Sequence, residues 1–503
     1  MTVHVFPPKI HELPEAVAAW RVDYPKFGAL IDEAAPPFKA LRYLGLALWN
    51  DKRLDEAVNV LTASAALAPH EPRILGELGS LLCMVDRKVE ALRYLTRSLE
   101  MDPNQIHVWL NVAAICDANG DKETAEHAFR VALELDPQSA EASAGLGLLY
   151  IGCRRLEDAA QLLAAAVARG IDALAVYACL GQTLFQLGDF SAASAALGKA
   201  ALACPDEALI VQKYAMSRLI ETVMVASAED AASSYLDAAG RHAEDLTTTC
   251  RVAFQTLCGY GRKAPAIRLG EFILARRPHD PIVGYYLDAL NGRPHERAPD
   301  AYLTTFFDRY APQFDRHLVD VLNYRVPAML QPLLQDTGLA FTRILDLGCG
   351  TGLAAQALTS MGGHLTGVDI SSGMLEKARE RGAYDVLIED EALLYLAQVD
   401  ACFDLVVVLD VLIYFGDLAV MFDALARRVQ AGGIVAFTYE TADGSDHALQ
   451  PSGRFAHDPR YVERLYRTDF EPLKVISTIL RHEANVPVAG QLVLLRRRTS
   501  AWT

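Results

Sequence analysis

The chain has 503 residues, of which 52% are hydrophobic and 22% are charged. At roughly 150 residues per domain this length predicts two to four domains, and the composition excludes a disordered or a small disulfide-stapled protein. The 63 acidic residues outnumber the 47 basic residues, so the formal net charge is −16. Because that charge repels polyphosphates, we expect no nucleic-acid partner.

Neither the cysteines nor the apolar stretches indicate an exported or membrane protein. The nine cysteines include no C-x-x-C pair, so no disulfide framework and no zinc site is expected. The first residues lack the basic and long apolar regions of a signal peptide, and three aspartates interrupt the apolar stretch near residues 401–422. We therefore expect a cytoplasmic protein without a membrane partner.

In the first two hundred residues, small residues, alanines, large apolar residues and prolines each recur at positions 34 residues apart. This is the period of a helix-turn-helix repeat, in which small residues let two antiparallel helices approach and a proline stops the second helix. Four columns share the register: Gly45, Gly79, Ala113, Gly147 and Gly181; Ala57, Ala91, Ala125, Ala159 and Ala193; Leu61, Leu95, Phe129, Leu163 and Leu197; and Pro69, Pro103, Pro137 and Pro205.

This pattern resembles the tetratricopeptide repeat (TPR) family, although Ile171 replaces one closing proline. The resemblance implies an all-α solenoid of five units over residues 1–205, with a concave face that binds a protein or peptide or serves self-association. Beyond residue 206 the register decays, so we expect degenerate helical repeats and a linker over residues 206–295. The resemblance places these side chains on the concave face: Arg42, Trp49, Asn50, Arg73, His107, Asp117, Gln182, Phe185 and Gln186.

The remaining residues, 296–503, have the pattern of an α/β domain. Short helical patterns precede residue 343, after which apolar, β-branched runs alternate with amphipathic stretches. This alternation predicts a mostly parallel sheet with helices on both faces. Strands are predicted at residues 344–345, 364–368, 405–409, 434–438, 475–480 and 492–495.

The first predicted strand leads directly into a glycine-rich turn, Asp346-Leu-Gly-Cys-Gly-Thr-Gly352. Glycines there allow a tight bend and let a ligand approach bare backbone N–H groups. A dinucleotide fingerprint would need its third glycine at position 353, which is Leu353, so the spacing disfavours NAD. Asp369, 19 residues after Gly350, ends the second predicted strand, where a carboxylate can accept hydrogen bonds from ribose hydroxyls.

The glycine turn resembles motif I of the class I S-adenosylmethionine-dependent methyltransferases. The resemblance implies a Rossmann-like domain that binds S-adenosylmethionine and releases S-adenosylhomocysteine, with one antiparallel edge strand near residues 492–495. Glu389 and Glu391 compete with Asp390 for the adenine amino group. The implied cofactor-binding residues are Asp346, Gly348, Cys349, Gly350, Gly352, Asp369, Ile370, Asp390, Asp410 and Tyr310.

The segment from Phe306 to Leu318 resembles the cap helices of small methyltransferases. There Tyr310 would bond the cofactor carboxylate and Phe314 would shield the site, or these aromatic side chains would simply pack the cap onto the sheet. Repeats, cap and glycine turn together resemble a bacterial family of TPR methyltransferases. We therefore predict a methyltransferase whose repeats recruit a protein or peptide substrate. A small-molecule methyltransferase that dimerises through its repeats and a non-catalytic, cofactor-sensing adaptor are the alternatives.

Methyl transfer requires alignment of donor and acceptor and exclusion of water, and a general base only when the acceptor must lose a proton. His457 is the most suggestive base because it lies near an arginine and a tyrosine at the expected ligand end of the sheet, although a bystander loop histidine is the alternative. No metal-ligand spacing is present, so we expect no metal. The candidate catalytic residues are His457, Tyr439, Glu440, Arg454 and Tyr461, with Tyr414 also at this end.

Overall fold

The computed structural model describes residues 20–33, 35–483 and 486–499. The chain forms two compact units, one from Met1–Phe185 and Ala195–Pro205 and the other from Gln186–Ser194 and Asp206–Thr503. The domain limits at 205 and 295 stay predictions. None of the helices in the described ranges is both long and apolar enough to cross a membrane.

Antiparallel pairs of helices build the first part of the chain, as the 34-residue period predicts. Neighbouring helices pack as α2 with α3, α4 with α5, α6 with α7 and α8 with α9. The helices are α1 (Pro25–Asp32), α2 (Pro37–Asn50), α3 (Leu54–Leu67), α4 (Pro72–Met84), α5 (Lys88–Met101), α6 (Ile106–Ala118), α7 (Lys122–Leu135), α8 (Ala140–Gly152), α9 (Leu156–Ala168), α10 (Leu174–Gln186) and α11 (Phe190–Ala203).

The recurring glycines lie where the two helices of a pair touch. A side chain there would collide with the buried leucine sixteen residues later, so the period records a steric requirement. A Cβ atom would lie only 2.5–2.8 Å from that leucine side chain in four units: Gly45 with Leu61, Gly79 with Leu95, Gly147 with Leu163, and Gly181 with Leu197.

The second unit combines helices with a nine-stranded sheet. Its helices are α12 (Ala208–Val225), α13 (Ala228–Ala239), α14 (Leu246–Gly259), α15 (Lys263–Arg276), α16 (Pro281–Leu290), α17 (Asp300–Tyr310), α18 (Phe314–Arg316), α19 (Val326–Gln335), α20 (Ala355–Thr359), α21 (Ser372–Arg381), α22 (Ala392–Gln398), α23 (Ala419–Arg428) and α24 (Pro459–Tyr466). Its strands are β1 (Arg343–Leu347), β2 (His364–Asp369), β3 (Val386–Glu389), β4 (Phe403–Val408), β5 (Val429–Thr441), β6 (His447–Leu449), β7 (Phe455–His457), β8 (Phe470–Glu483) and β9 (Val486–Arg497).

The strand order is β3-β2-β1-β4-β5, with β7 and β6 continuing from the carboxyl end of β5. The pairs among the first five strands are parallel, which confirms the predicted α/β class. β9 is antiparallel to β5 as expected. It is not an edge strand, however, because β8 pairs with its other side to form a long hairpin. The loop expected before His457 is partly the strand β7.

The parallel strands are covered by apolar helices. In β1 every residue after Arg343 is buried, as expected of a strand packed on both faces. One core cluster joins α19 and α20 to the sheet through Leu330, Leu358 and Ile344. The carboxyl ends of β1, β2, β3 and β4 therefore meet at one edge of a rigid sheet, where a ligand site is expected.

Gly79→Ala tests the packing of the repeats. The new methyl group would lie 2.6 Å from the buried Leu95 side chain, so we expect the free energy of unfolding to fall by about 1–3 kcal/mol. Gly152→Ala is the matched control, because its Cβ would meet only Lys122 Nζ at 4.0 Å and alanine is the better helix former by up to about 1 kcal/mol. Urea unfolding of the two variants checks this, and equal effects would contradict the steric explanation.

Candidate active site

A cavity lies at the carboxyl ends of β1 to β4, with about 930 Å³ of empty space when the part open to solvent is included. The sheet contributes the residues that follow these strands, and α17 with the segment after it contributes aromatic side chains. Its wall contains Leu303, Phe306, Phe307, Tyr310, Phe314, Leu318, Leu322, Gly348, Gly350, Val368, Asp369, Ile370, Met374, Asp390, Glu391, Ala392, Leu409, Asp410, Val411, Tyr414, Phe415, Arg454 and Arg481.

The glycine turn presents bare backbone to this cavity. Gly348, Gly350 and Gly352 have φ angles of 73°, 56° and 84°, which disfavour other residues. A Cβ on Gly348 would lie 2.2 Å from Val411, whereas one on Gly350 would have nothing closer than Phe314 at 3.9 Å. Of the turn residues predicted to bind the cofactor, Gly348 and Gly350 line the cavity, whereas Cys349 and Gly352 do not.

Asp369 ties the glycine turn to the end of β2. Its carboxylate accepts hydrogen bonds from the backbone N–H of Gly350 at 2.8 Å and of Ser371 at 2.9 Å. The residue that caps α21 is Ser371, whose hydroxyl accepts a hydrogen bond from Met374 N–H. Asp369 is therefore not needed as the helix cap, and it lines the cavity wall. Burial raises the pKa of Asp369 to about 6.

Ile370 and Asp390 also line the cavity, where the resemblance places the adenine. Asp390 donates its N–H to the Asp369 carbonyl and accepts from Glu391 N–H. Of the two competitors, Glu389 does not line the cavity. Glu391 does, but its carboxylate pairs with Arg297 at 3.1 Å and caps α22.

Asp346 does not reach the cavity. Its carboxylate is buried and accepts a 2.7 Å hydrogen bond from the Tyr384 hydroxyl. Burial raises its pKa to about 7. In this arrangement the side chain at the end of β1 turns towards Tyr384 and away from the cavity wall, and a contact of Asp346 with the cofactor stays a prediction.

Two Phe-Asp pairs, seven residues apart, hold the cap over the cavity. Asp308 accepts from Ser371 Oγ at 2.6 Å and from Gly373 N–H at 3.1 Å. Asp315 accepts from the Thr351 hydroxyl and pairs with Arg381. Each aspartate thus binds a loop that shapes the site, while four aromatic side chains of the cap face the cavity: Phe306, Phe307, Tyr310 and Phe314.

A buried charge cluster closes the other end of the cavity. Arg481 pairs with both oxygens of Asp410 at 3.1 and 3.2 Å, with Glu483 at 2.7 Å and with Glu440. Arg454 pairs with Glu483 as well. Burial opposes ionisation of Glu483, but the two arginines outweigh it and lower its pKa to about 2. Asp410 is held with φ at 57°, an unusual conformation for a residue with a side chain.

Of the five predicted catalytic residues, only Arg454 lines the cavity. His457 is fully buried, and its Nε2 lies 2.9 and 3.0 Å from the carbonyl oxygens of Phe415 and Gly416. Because carbonyls only accept, Nε2 carries the proton. Burial also lowers the pKa of His457 to about 4. The structure therefore does not place His457 where an acceptor would lie.

The other three candidates support the fold around the cavity. The Tyr439 hydroxyl donates to Gln491 Oε1 at 2.6 Å, and the Tyr461 hydroxyl donates to Asp417 Oδ1 at 2.6 Å. Glu440 pairs with Arg481, and burial raises its pKa. None of the three is on the cavity wall.

Arg481 is the main site residue that the sequence analysis missed. It lies in β8, where residues 471–479 are exposed or half-buried and the following Leu480 and Arg481 are both buried. An arginine in the apolar end of a predicted strand is a signal, since buried arginines are normally paired. Glu483 lies two residues away in the same strand, but Asp410 and Glu440 come from two distant places in the chain, so the cluster itself is not visible in the sequence.

The helix α16 supports the loop that carries Arg454. The Tyr285 hydroxyl donates to the Gly453 carbonyl at 3.0 Å, and its ring lies 4.5 Å from that of Tyr302 in α17. Gly453 has φ at 75°, and a Cβ there would lie 3.3 Å from Tyr285 and Tyr286. The helical segment before the sheet is thus part of the framework of the cavity.

Comparison with known families agrees with this geometry. Residues 345–437 match a model described as a methyltransferase domain, and residues 92–218 match one described as a tetratricopeptide repeat. The chain joins a tetratricopeptide-repeat region to a class I methyltransferase domain. The methyltransferase domain contains the glycine turn, Asp369 and Asp410, whereas Arg454 and Arg481 lie beyond the matched residues.

Curated relatives of the methyltransferase domain include a ubiquinone biosynthesis O-methyltransferase of Xylella fastidiosa, 29% identical over 26% of this chain and 53% of that protein. A malonyl-[acyl-carrier protein] O-methyltransferase of Salmonella typhimurium is 36% identical over 26% of this chain and 51% of that protein. The chain thus spans about half the length of these relatives. Among solved structures, the N-methyltransferase NodS of Bradyrhizobium japonicum is similar at 17% identity, covering 39% of this chain and 99% of that one, with a TM-score of 0.33.

Asp346→Asn should stabilise the protein more at pH 8 than at pH 5. The folded protein keeps the Asp346 proton up to about pH 7, whereas an unfolded aspartate releases it near pH 4, so ionisation costs stability as the pH rises between these values. Asparagine can still accept from Tyr384 and avoids the buried charge. We expect a gain of roughly 2–4 kcal/mol at pH 8 by urea unfolding.

The control for Asp346→Asn is Asp400→Asn, at an exposed aspartate of the same unit. Its effect on the free energy of unfolding should be small at both pH values. A gain for Asp346→Asn that does not change between pH 5 and pH 8 would show that ionisation of Asp346 is not the cause.

Proposed function

We propose that the protein is an S-adenosylmethionine-dependent methyltransferase. The observation that carries the proposal is the cavity in which Gly350, Asp369 and Asp390 converge within the region that matches the methyltransferase model. This model match and the similarity to two O-methyltransferases support the same assignment.

The residues of the cavity fit the proposed cofactor. The open space over Gly350 leaves its backbone accessible, and the Asp369 carboxylate can accept from ribose hydroxyls. Ile370 offers an apolar surface for adenine and Asp390 an acceptor for its amino group. Tyr310 on the cap would hold the methionyl end. When bound, the cofactor supplies an electrophilic methyl group on a sulfonium.

The chain contributes alignment and exclusion of water. Asp308 and Asp315 fix the cap, whose aromatic side chains cover the cavity. Arg481 fixes Asp410 at the end of β4, beside the region proposed for the methionyl group. A preorganised and dry site of this kind favours an in-line displacement that needs little other assistance.

The repeat region is proposed to recruit an extended polypeptide substrate. Among the described residues, the helices α1 to α11 form an array larger than a small acceptor requires, and stacked repeats present extended faces. Support for this role comes from the match to the repeat model. Dimerisation through the repeats of a small-molecule enzyme and a cofactor-sensing adaptor remain the alternatives. The proposed domains are residues 1–205, 206–295 and 296–503.

Asp369→Ala should weaken S-adenosylmethionine binding by about 2–4 kcal/mol, because it removes two charged hydrogen bonds to the ribose. For the wild type, affinity should fall as the pH drops below about 6, where the Asp369 carboxylate takes up a proton. Isothermal titration calorimetry between pH 5 and pH 8 measures both effects, with Asp400→Ala as control. Unchanged affinity in Asp369→Ala would remove Asp369 from the cofactor site.

Deletion of residues 1–185 tests the role of the repeats. This cut keeps residues 186–194, which belong to the second compact unit. With methyl-labelled S-adenosylmethionine and a cell lysate, we expect the full chain to label a protein and the shortened chain to lose that labelling. Cofactor affinity should stay within about 1 kcal/mol, because none of the deleted residues is among the described residues of the cavity wall. Equal labelling by both chains would contradict recruitment by the repeats.

A further inference from the structure

We propose that the group methylated by this protein is a carboxylate, which Arg454 holds at the charged end of the cavity and which becomes a methyl ester. This inference rests on the proposed methyltransferase function and specifies the class of its acceptor. It follows from the hydrogen-bond donors on the cavity wall, from the arrangement of their counter-ions and from the absence of a suitably placed base among the described wall residues.

Arg454 is a cation that faces the cavity without a carboxylate of its own. Its Nη1 pairs with Glu483, which Arg481 also uses, and 19% of its side chain remains accessible. A guanidinium has five N–H donors in a planar fork that matches a carboxylate. Arg454 therefore retains donors for a ligand.

Tyr414 adds a second donor at the same place. The Tyr414 and Arg454 side chains both line the cavity, and the positive charge of Arg454 partly offsets the rise that burial causes in the pKa of Tyr414. The Tyr414 O–H and the Arg454 guanidinium can each donate a hydrogen bond. Two donors are therefore available to a carboxylate at the charged end of the cavity.

The counter-ions of the two arginines lie mostly behind the wall. Glu440 and Glu483 do not line the cavity, and Asp410 has both oxygens on Arg481 Nη1. The charged end thus presents Arg454 to a ligand, with Glu440 and Glu483 behind the wall and the Asp410 carboxylate on the wall but paired with Arg481.

The cavity also lacks a group well placed to remove a proton. No histidine or lysine is among the described residues of the wall, and both carboxylate oxygens of Asp410 accept hydrogen bonds from Arg481. The closest rival is the Tyr310 hydroxyl, which pairs with His317 Nδ1 in the cap and would suit a hydroxyl acceptor. A carboxylate is already ionised, so its methylation requires neither a general base on the cavity wall nor the Tyr310–His317 pair.

The proposed step balances without a proton transfer. One carboxylate oxygen is held by Arg454, and a lone pair of the other oxygen forms the new O–C bond to the methyl group. The C–S bond breaks and its electron pair remains on sulfur. An anion and a sulfonium thereby become a neutral methyl ester and the thioether S-adenosylhomocysteine.

The test uses the full chain saturated with S-adenosylhomocysteine and four ligands that share one aromatic body suited to the aromatic wall. Calorimetry compares 3-phenylpropionate with 3-phenylpropanamide, 3-phenylpropanol and 3-phenylpropylamine, up to about 10 mM, the weak range expected of fragments. We expect the carboxylate to bind at least about tenfold more tightly than the other three. Equal or tighter binding of the amide, alcohol or amine, or no binding of the carboxylate, would overturn the proposal.

Arg454→Gln should remove this preference, while Arg460→Gln, at an exposed arginine six residues away, should keep it. S-adenosylhomocysteine affinity verifies that each variant is folded. If Arg454→Gln also loses that affinity, Arg454→Lys replaces it and should weaken carboxylate binding but not abolish it. A preference that survives in a folded Arg454→Gln would refute the assignment of Arg454.

The two proposals fail separately. Wild-type protein that does not bind S-adenosylhomocysteine contradicts the methyltransferase function. Wild-type protein that binds it but does not prefer the carboxylate contradicts only the acceptor class.

Discussion

The site depends on one buried carboxylate. Asp369 accepts N–H groups from the turn after β1 and from the loop after β2. It thereby extends the backbone hydrogen bonds that Gly348 and Cys349 N–H donate to the Val368 carbonyl at the same strand ends. The same loop carries Ser371, which caps α21 and also donates to Asp308 in the cap. The glycine turn, the second strand and the cover of the cavity are therefore aligned through a single side chain, whose burial is offset by two directed N–H donors.

Features that depend on local sequence were predictable. The glycine column reflects a contact between two helices of one hairpin, so its steric requirement repeats with the hairpin. Gly348 and Gly350 adopt the positive φ angles that a strand-to-helix turn demands, and Asp369 is the last residue of its strand. In each case the residues that contact one another are close in the chain or belong to the same repeat. The sequence pattern therefore predicts the contact.

Features that depend on distant partners were not predictable. His457 has the neighbours of a base in the sequence, but the carbonyls that bury it come from residues 415 and 416. Asp346 lies at the expected strand end, yet Tyr384, 38 residues later, decides its direction. Arg481 meets Asp410 across 71 residues. For long-range pairs such as these, no periodicity constrains which side chains meet, so sequence patterns identify the candidates but not their orientation.

The contact between Tyr285 and Gly453 has a consequence for how this enzyme can be divided or recombined. By sequence, the breaker-rich stretch at 291–300 looks like a natural junction for exchanging one domain for another. The hydrogen bond from α16 crosses that junction and fixes the loop that carries Arg454. The smallest segment that could be transferred with its site intact therefore begins before Pro281. A chimera joined at residue 295 would retain the glycine turn but would lack the Tyr285 hydrogen bond that supports the charged end of the cavity. The part of the chain that could be exchanged as a domain therefore begins one helix earlier, at α16, than the composition suggests.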